Sequence, residues 1–440
     1  MAAARDLALK VLARVDREGA YAAAALSAEL GKAQSPREAA LATEIVLGVL
    51  RRRPWLDRLL ESASKQGLAR IDPSVRDVLR IGAYQIAFMD RIPARAAVSE
   101  AVGQVRRGRS PGLSGLANAV LRRLAATESA RLRPGEDDDG AATAELAARL
   151  GQQEWLFDRM IASLGRDRAV AACRAFNRPS RRTLRVNPHR AARDDLLARP
   201  GDGARPGALS FLALDVDSRE RAIELEERGL AAQQDEGAQL VALAVEPGPN
   251  DRILDACAGR GGKTALLAAL AGPQAELWAA DVSPGKLERL SFELVRQGLA
   301  ARTMALDLTR DAARLPGPFH KVLVDAPCSG TGTLGRRPEI RWRLKPSQVD
   351  DLVRLQASLL DAAAGLVAPG GRLVYAVCSI LREEGAGQLD PFLSRHHGFR
   401  PLPALPHAWP REVPFENGCA LLDPAAHGTD GYQIVCLGLG

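Results

Sequence analysis

V-D-A-P-C-S-G-T-G-T-L-G-R-R-P-E-I-R-W, residues 324 to 342, is the stretch on which the reading of this 440-residue chain turns. The apolar run that leads into it, Lys321 to Val324, reads as a buried strand, and it delivers Asp325, the rigid Pro327 and Cys328 into a glycine-rich loop. Parallel α/β sheets place their chemistry at such strand ends. A second short strand, Arg372 to Val377, runs out in Cys378-Ser379. The expectation is a pair of cysteines at adjacent strand ends, beside a small-molecule cofactor.

Working outward, strands alternate with helices from Gln234 onward, which implies a parallel sheet with right-handed crossovers. Candidate strands are Arg252 to Asp255, Glu276 to Asp281, Arg302 to Asp307, Lys321 to Asp325 and Arg372 to Val377, with a last one in D-G-Y-Q-I-V-C-L-G-L. Helices are expected at Lys263 to Ala271, Ser283 to Gly298 and Ser347 to Val367. The first strand opens into D-A-C-A-G-R-G-G-K-T, Asp255 to Thr264. Glycines there let backbone N–H groups approach a ligand at a helix N-terminus. A P-loop would need Gly where Cys257 stands, and a dinucleotide fingerprint begun at Gly259 would need Gly where Thr264 stands, so neither ATP nor NAD is favoured. Asp281 can take both hydroxyls of a ribose, and Asp307 can meet an adenine edge. An Asp at a strand end is usually a loop-start residue, but three in register with a glycine loop fit S-adenosylmethionine, whose cationic sulfonium tolerates nearby carboxylates.

The charge is uneven. Residues 1 to 133 hold 23 Lys and Arg against 13 Asp and Glu, a balance of +10, so the remainder of the chain, with a total of +7, carries −3. A basic module joined to a near-neutral one suggests that the first binds a polyanion for the second, although surplus Arg also serves plain solubility. Six cysteines without C-x-x-C spacing suggest neither a zinc site nor a disulfide framework, and no metal is expected. No run approaches the roughly 20 apolar residues of a spanning helix, and Arg5, Asp6 and Lys10 stand where a signal peptide needs an apolar core. A cytoplasmic protein acting as a monomer, with no membrane partner, is expected.

Residues 1 to about 127 carry helical patterning. In Asp72 to Ile92, Val75, Leu79, Gly82, Ile86 and Met89 share one face, Gly82 invites a close neighbour, Pro73 suits a first turn and Pro93 ends the pattern. Three strings, L-R-I-G-A-Y-Q-I-A-F (Leu79 to Phe88), I-P-A-R-A-A-V-S-E-A-V (Ile92 to Val102) and L-A-N-A-V-L-R-R-L (Leu116 to Leu124), resemble in this order the NusB-like RNA-binding fold. Arg131 to Ala142, with Pro134, Gly135 and the acidic run Glu136 to Asp139, reads as a linker. Arg178, Arg181, Arg182 and Arg185 surround a strand-like T-L-R-V-N, a patch that either contacts phosphate or is a solvated face. The expected organisation is an all-α NusB-like bundle (1–130), a linker (131–145), a small α+β RNA-binding subdomain (146–232) and an α/β Rossmann-like methyltransferase domain with a mostly parallel sheet (233–440).

A free Cys is most often a small buried hydrophobe. Here each of the two follows a strand and is trailed by Ser, in D-A-P-C-S-G-T-G and Y-A-V-C-S-I, and with the glycine loop these strings resemble the RNA cytosine-C5 methyltransferase family of NOL1, NOP2 and Sun proteins. Cytosine C5 is a poor nucleophile until a thiolate adds to C6. The resemblance implies that Cys378 attacks and Cys328 assists release, while Asp325 hydrogen-bonds the base at N3. It further implies that Cys257, Ala258, Gly259, Arg260, Gly261, Gly262, Lys263, Asp281, Asp307 and Asp325 contact S-adenosylmethionine. In G-R-R-P-E-I-R-W, Arg336, Arg337 and Arg341 are expected at RNA phosphate and Trp342 in a core. Two departures are Gly259-Arg260 where the family usually has A-P, and D-G-Y-Q where D-G-F-F is more usual. The fusion of the two modules is similar to the bacterial Sun branch of the family, which implies 16S rRNA as substrate; tRNA, or a non-catalytic RNA-binding or antitermination role, are the alternatives.

Overall fold

The computed structural model describes residues 2–33, 35–108, 110–199, 203–403 and 409–440. The chain divides into two compact units, Met1–Arg178 with Leu334–Arg343, and Pro179–Thr333 with Leu344–Gly440.

The first unit is helical. Ala2–Arg17, Ala22–Leu30, Pro36–Ala63, Pro73–Phe88, Ala94–Arg107 and Ser114–Ala125 enclose one apolar core. Two of these helices start as their sequences dictate: Ser35 and Asp72 accept from the backbone N–H of Glu38 and Ser74, with Pro36 and Pro73 in the first turn. Pro73–Phe88 is buried almost all round between Asp77 and Ala87, not on one face only, because it is the bundle's central helix. The expected close approach at Gly82 is present: a Cβ there would lie 2.7 Å from Leu121 Cδ1. The acidic run is tied down by arginines, with Asp137 2.6 Å from Arg174 and Asp139 2.9 Å from Arg149.

Pro54 stands inside Pro36–Ala63 and has no N–H to donate to the carbonyl of Leu50. The segment that follows the Cys328 loop repairs this break. Trp342 Nε1 donates to Leu50 O at 2.9 Å, and Arg341 Nη1 donates to Arg51 O at 3.0 Å. Trp342 accordingly packs against the helical core, as expected. Arg341 does not face RNA phosphate. It is fully buried and also bonds Gly151 O and Asn177 Oδ1, and burial pushes its guanidinium down to about 9.

The second unit holds two sheets. The smaller has the antiparallel order β2-β3-β1-β4, from β1 Thr183–Val186, β2 Arg205–Pro206, β3 Ala213–Asp215 and β4 Ala231–Gln233. The larger comprises β5 Arg252–Asp255, β6 Glu276–Asp281, β7 Arg302–Ala305, β8 Phe319–Asp325, β9 Val367–Val377, β10 Phe399–Pro401, β11 Phe415–Glu416, β12 Cys419–Leu422 and β13 Tyr432–Leu439. Its order is β11-β12-β13-β9-β8-β5-β6-β7, with β10 on β13. β5 to β9 pair parallel and β13 lies antiparallel to β9. Period-2 alternation fills both faces: Leu323 and Val374 pack with helices Glu236–Val245 and Gly262–Ala271, while Val322, Val324 and Tyr375 pack with Pro346–Ala364.

Two expectations need correction here. β7 stops at Ala305, two residues before Asp307, which instead caps the short helix Leu308–Asp311 through its bonds from Thr309. Arg185 is not a surface phosphate ligand, because all four residues of β1 are buried; its guanidinium donates to Gln297 Oε1 at 2.7 Å, and burial pushes it down to about 10. Arg181 and Arg182 do reach the surface or its margin, beside Asp215 and the Asp217 carbonyl.

Candidate active site

β8 and β9 are parallel neighbours in which Asp325 pairs with Ala376, so the loops that follow both strands leave the same edge of the sheet. This register brings together two residues fifty positions apart, Cys328 and Cys378, with Sγ–Sγ 3.3 Å. β5 and β6 end at the same edge with Asp255 and Asp281. Most of the expected site residues are thereby gathered by strand order alone.

Lys263, in the first turn of Gly262–Ala271, places Nζ 2.7 Å from Asp325 Oδ2 and 5.2 Å from the centre of the Tyr432 ring. Burial alone would pull its ammonium down, but Asp325 outweighs this and the group titrates above its usual range. Asp281 holds the glycine loop: Oδ2 accepts from Gly259 N at 3.0 Å and Oδ1 from Ser283 N at 2.8 Å. Val282, the next residue, is 69% exposed, a large apolar side chain standing free at the rim. Asp307 is held low by its bonds from Thr309. Arg260 is exposed, whereas Ala258 and Gly261 are buried.

The cysteines differ. Burial, then the charges of Asp255 and Asp325, push the Cys257 thiol up. The hydrogen bond with Cys378, then burial, also pushes the Cys328 thiol up. At this separation either thiol can donate to the other.

Beneath this pair lies a group that sequence reasoning missed. Glu384 is fully buried and accepts from Ser329 N at 2.7 Å, Ser379 Oγ at 2.5 Å and Gln356 Nε2 at 3.2 Å, as well as from Ser329 Oγ. One carboxylate thus ties together the residues that follow both cysteines. The only sequence signal was an acid five positions beyond Ser379. Gln433, the departure from D-G-F-F, donates to Ser379 O and Leu381 O at 3.1 and 2.7 Å and accepts from Ala386 N, so its amide closes the turn after Cys378. Gly332 N bonds Cys378 O at 3.0 Å while its own carbonyl takes Gly431 N at 2.8 Å. A Cβ at Gly332 would lie 1.9 Å from the Gly431 oxygen, so only glycine admits this contact.

Asp255 carries a pH prediction. Burial raises its carboxyl from 3.8 to about 7, partly offset by a 2.7 Å bond from Thr264 Oγ1. Between about pH 4 and 7 the folded chain therefore binds a proton that the unfolded chain has lost, and stability is full below that window and falls as pH rises through it. Asp255→Asn is expected to remove that slope, an upper bound of roughly 4 kcal/mol. Melting temperatures of both proteins from pH 4.5 to 8 check this; equal slopes would refute it.

Fold and site together define a class: a methyltransferase domain with a mostly parallel mixed sheet, carried behind a helical domain of the NusB family. The NusB family model matches residues 2–126, and the model described as 16S rRNA methyltransferase RsmB/F matches residues 242–437. The chain belongs to this RsmB/F family of 16S rRNA methyltransferases, for it is similar to relatives along its whole length. The ribosomal RNA small subunit methyltransferase B of Thermus thermophilus is 36% identical over 98% of this chain and 97% of its own, and that of Pseudomonas putida 34% over 98% of each. A probable enzyme of the same name from Synechocystis is 31% identical over 99% of both chains. Among solved structures, PH0851 has the same fold, with a TM-score of 0.81 over 98% of each chain at 24% identity. NSun6 from Pyrococcus horikoshii, solved with SFG, matches 64% of this chain and 97% of its own with a TM-score of 0.56 at 18% identity. Among the described residues no helix is long and apolar enough to cross a membrane, and no cluster of His, Cys, Asp or Glu could hold a metal ion.

Proposed function

We propose that the protein transfers a methyl group from S-adenosylmethionine to C5 of a cytosine in 16S rRNA, through a covalent bond between Cys378 and C6. The observation that carries the reading is the pair Cys328 and Cys378 at 3.3 Å, at the same sheet edge as the Lys263–Asp325 pair. S-adenosylmethionine fits the donor set: Asp281 lies against the glycine loop for a ribose, exposed Val282 suits the face of a purine, and the carboxylates of Asp255, Asp281 and Asp325 at this edge are compatible with a cationic sulfonium. When bound, it supplies an electrophilic methyl group.

Cys378 Sγ adds to C6, and the C5–C6 π electrons turn C5 into an enamine-like nucleophile. Lys263 engages Oδ2 of Asp325, which leaves Oδ1 for the pyrimidine edge, where it relays to N3 the proton that the Cys378 thiol gives up as its sulfur adds to C6. After C5 is methylated, water takes the C5 proton and N3 returns its own to Asp325, so the C5–C6 double bond re-forms and Cys378 Sγ leaves, its departure assisted by a proton from Cys328 Sγ 3.3 Å away. The basic NusB-like module (1–130) grips the RNA, and the target cytosine is unpaired or flipped to reach Cys378.

The test is labelled methyl transfer into 16S rRNA from cells that lack the protein, followed by mapping of the product base. One 5-methylcytosine per RNA is the expected result. Transfer to tRNA alone would replace the substrate, and no transfer to any RNA would leave only a binding role.

A further inference from the structure

Beside the glycine loop of the second unit lies a cavity of about 380 Å³, walled by Arg185, Gln234, Arg260, Gly262 and Gln297. Arg185 is 1% exposed and Gln234 7%. Arg185 spends Nη2 on Gln297, but its Nε and Nη1, and both polar atoms of the Gln234 amide, have no hydrogen-bond partner among the described residues. Buried donors and acceptors in this condition are unfavourable unless a ligand supplies the partner. Nothing in the proposed chemistry of the cysteines uses them.

We infer that this cavity receives an unpaired nucleobase of the substrate RNA, one that neighbours the target cytosine along the strand, and reads its edge through Gln234 and Arg185. The inference rests on the proposed function and extends it to substrate selection. A phosphate fits less well: it offers acceptors only, which leaves Gln234 Oε1 unmatched, and the arginines of the lining, Arg185, Arg260 and Arg296, are matched by Glu226, Glu227 and Glu293, so the cavity has no excess of positive charge. A base edge presents donors and acceptors together, the pattern that an amide and a guanidinium recognise. The place is right as well. A Cβ at Gly262 would lie 3.7 Å from Gln234 Nε2, and the next residue, Lys263, reaches Asp325 at 2.7 Å, so the cavity and the base-holding carboxylate are one lysine side chain apart. Exposed Arg260 at the rim supplies a cation for the strand's backbone.

The test uses the full chain and Gln234→Met, which keeps the side-chain volume and breaks no hydrogen bond made by the amide. Methyl transfer is measured on fragments around the mapped cytosine, with each base in turn at the flanking positions. Wild type is expected to discriminate at one flanking position by about tenfold or more in kcat/KM, and Gln234→Met to flatten that preference to within about twofold. The dissociation constant for S-adenosylmethionine and the melting temperature stay at the wild-type values. Arg185→Lys, which keeps charge but not the planar fork, is expected to weaken the same preference. Retained discrimination in Gln234→Met would overturn the inference. So would an equal loss on every flanking base with a shallower salt dependence, the mark of a phosphate contact, or a lowered melting temperature, the mark of a packing role. Transfer to no RNA by the wild type would overturn the proposed function and this site with it.

Discussion

Cys378→Ala is expected to abolish methyl transfer together with any covalent RNA adduct, a loss of at least about 10³-fold, because a residue that forms the bond to substrate has no substitute in the site. Cys328→Ala is expected to behave differently. It leaves the attacking sulfur in place but removes the thiol that stands 3.3 Å away, so the enzyme should add to cytosine and stall. Denaturing gels of protein mixed with RNA and cofactor separate the two variants: a band of slower mobility accumulates with Cys328→Ala and is absent with Cys378→Ala. Equal adduct in both would sink this division of labour, and adduct only in Cys378→Ala would reverse it.

Glu384→Ala is expected to rival the cysteine variants in activity without touching substrate. The carboxylate accepts from Ser329 N, Ser379 Oγ and Gln356 Nε2 in a fully buried site, and its removal strands donors on both loops at once. Hydrogen bonds to a charged group contribute about 1.5–3 kcal/mol each, so a loss of about 3 kcal/mol or more is expected from the two shortest alone. Glu384→Gln keeps one acceptor and should recover part of the stability. Thermal unfolding and methyl transfer measured on both variants check this; a melting temperature unchanged in Glu384→Ala would show that the loops hold their positions without the carboxylate.

Much of the catalytic half was legible before any coordinates. Strands at Arg252, Glu276, Lys321 and Arg372 follow from short apolar runs that end in Asp or Cys, and the helices between them from Pro and Gly at their ends. Periodicity and chain breakers are local properties, written over ten or fifteen neighbouring residues. Strand order then did what spacing could not: Cys328 and Cys378 meet because β8 and β9 are parallel neighbours with Asp325 opposite Ala376.

The arginines mark the opposite case. In the sequence, Arg185 and Arg341 resemble the exposed cations around them, yet one lies inside a four-stranded sheet and the other mends the carbonyls left by Pro54 and its turn. Glu384, an unremarkable acid in R-E-E, becomes the shared acceptor of two loops. Pattern together with motif resemblance was enough to anticipate the fold class, the glycine loop and two cysteines at strand ends. Which charged groups lose their water, and which partners then answer them, depended on segments tens to hundreds of residues apart. Burial is a property of the folded whole, and the cost of an unpaired polar group exists only once the chain has closed around it.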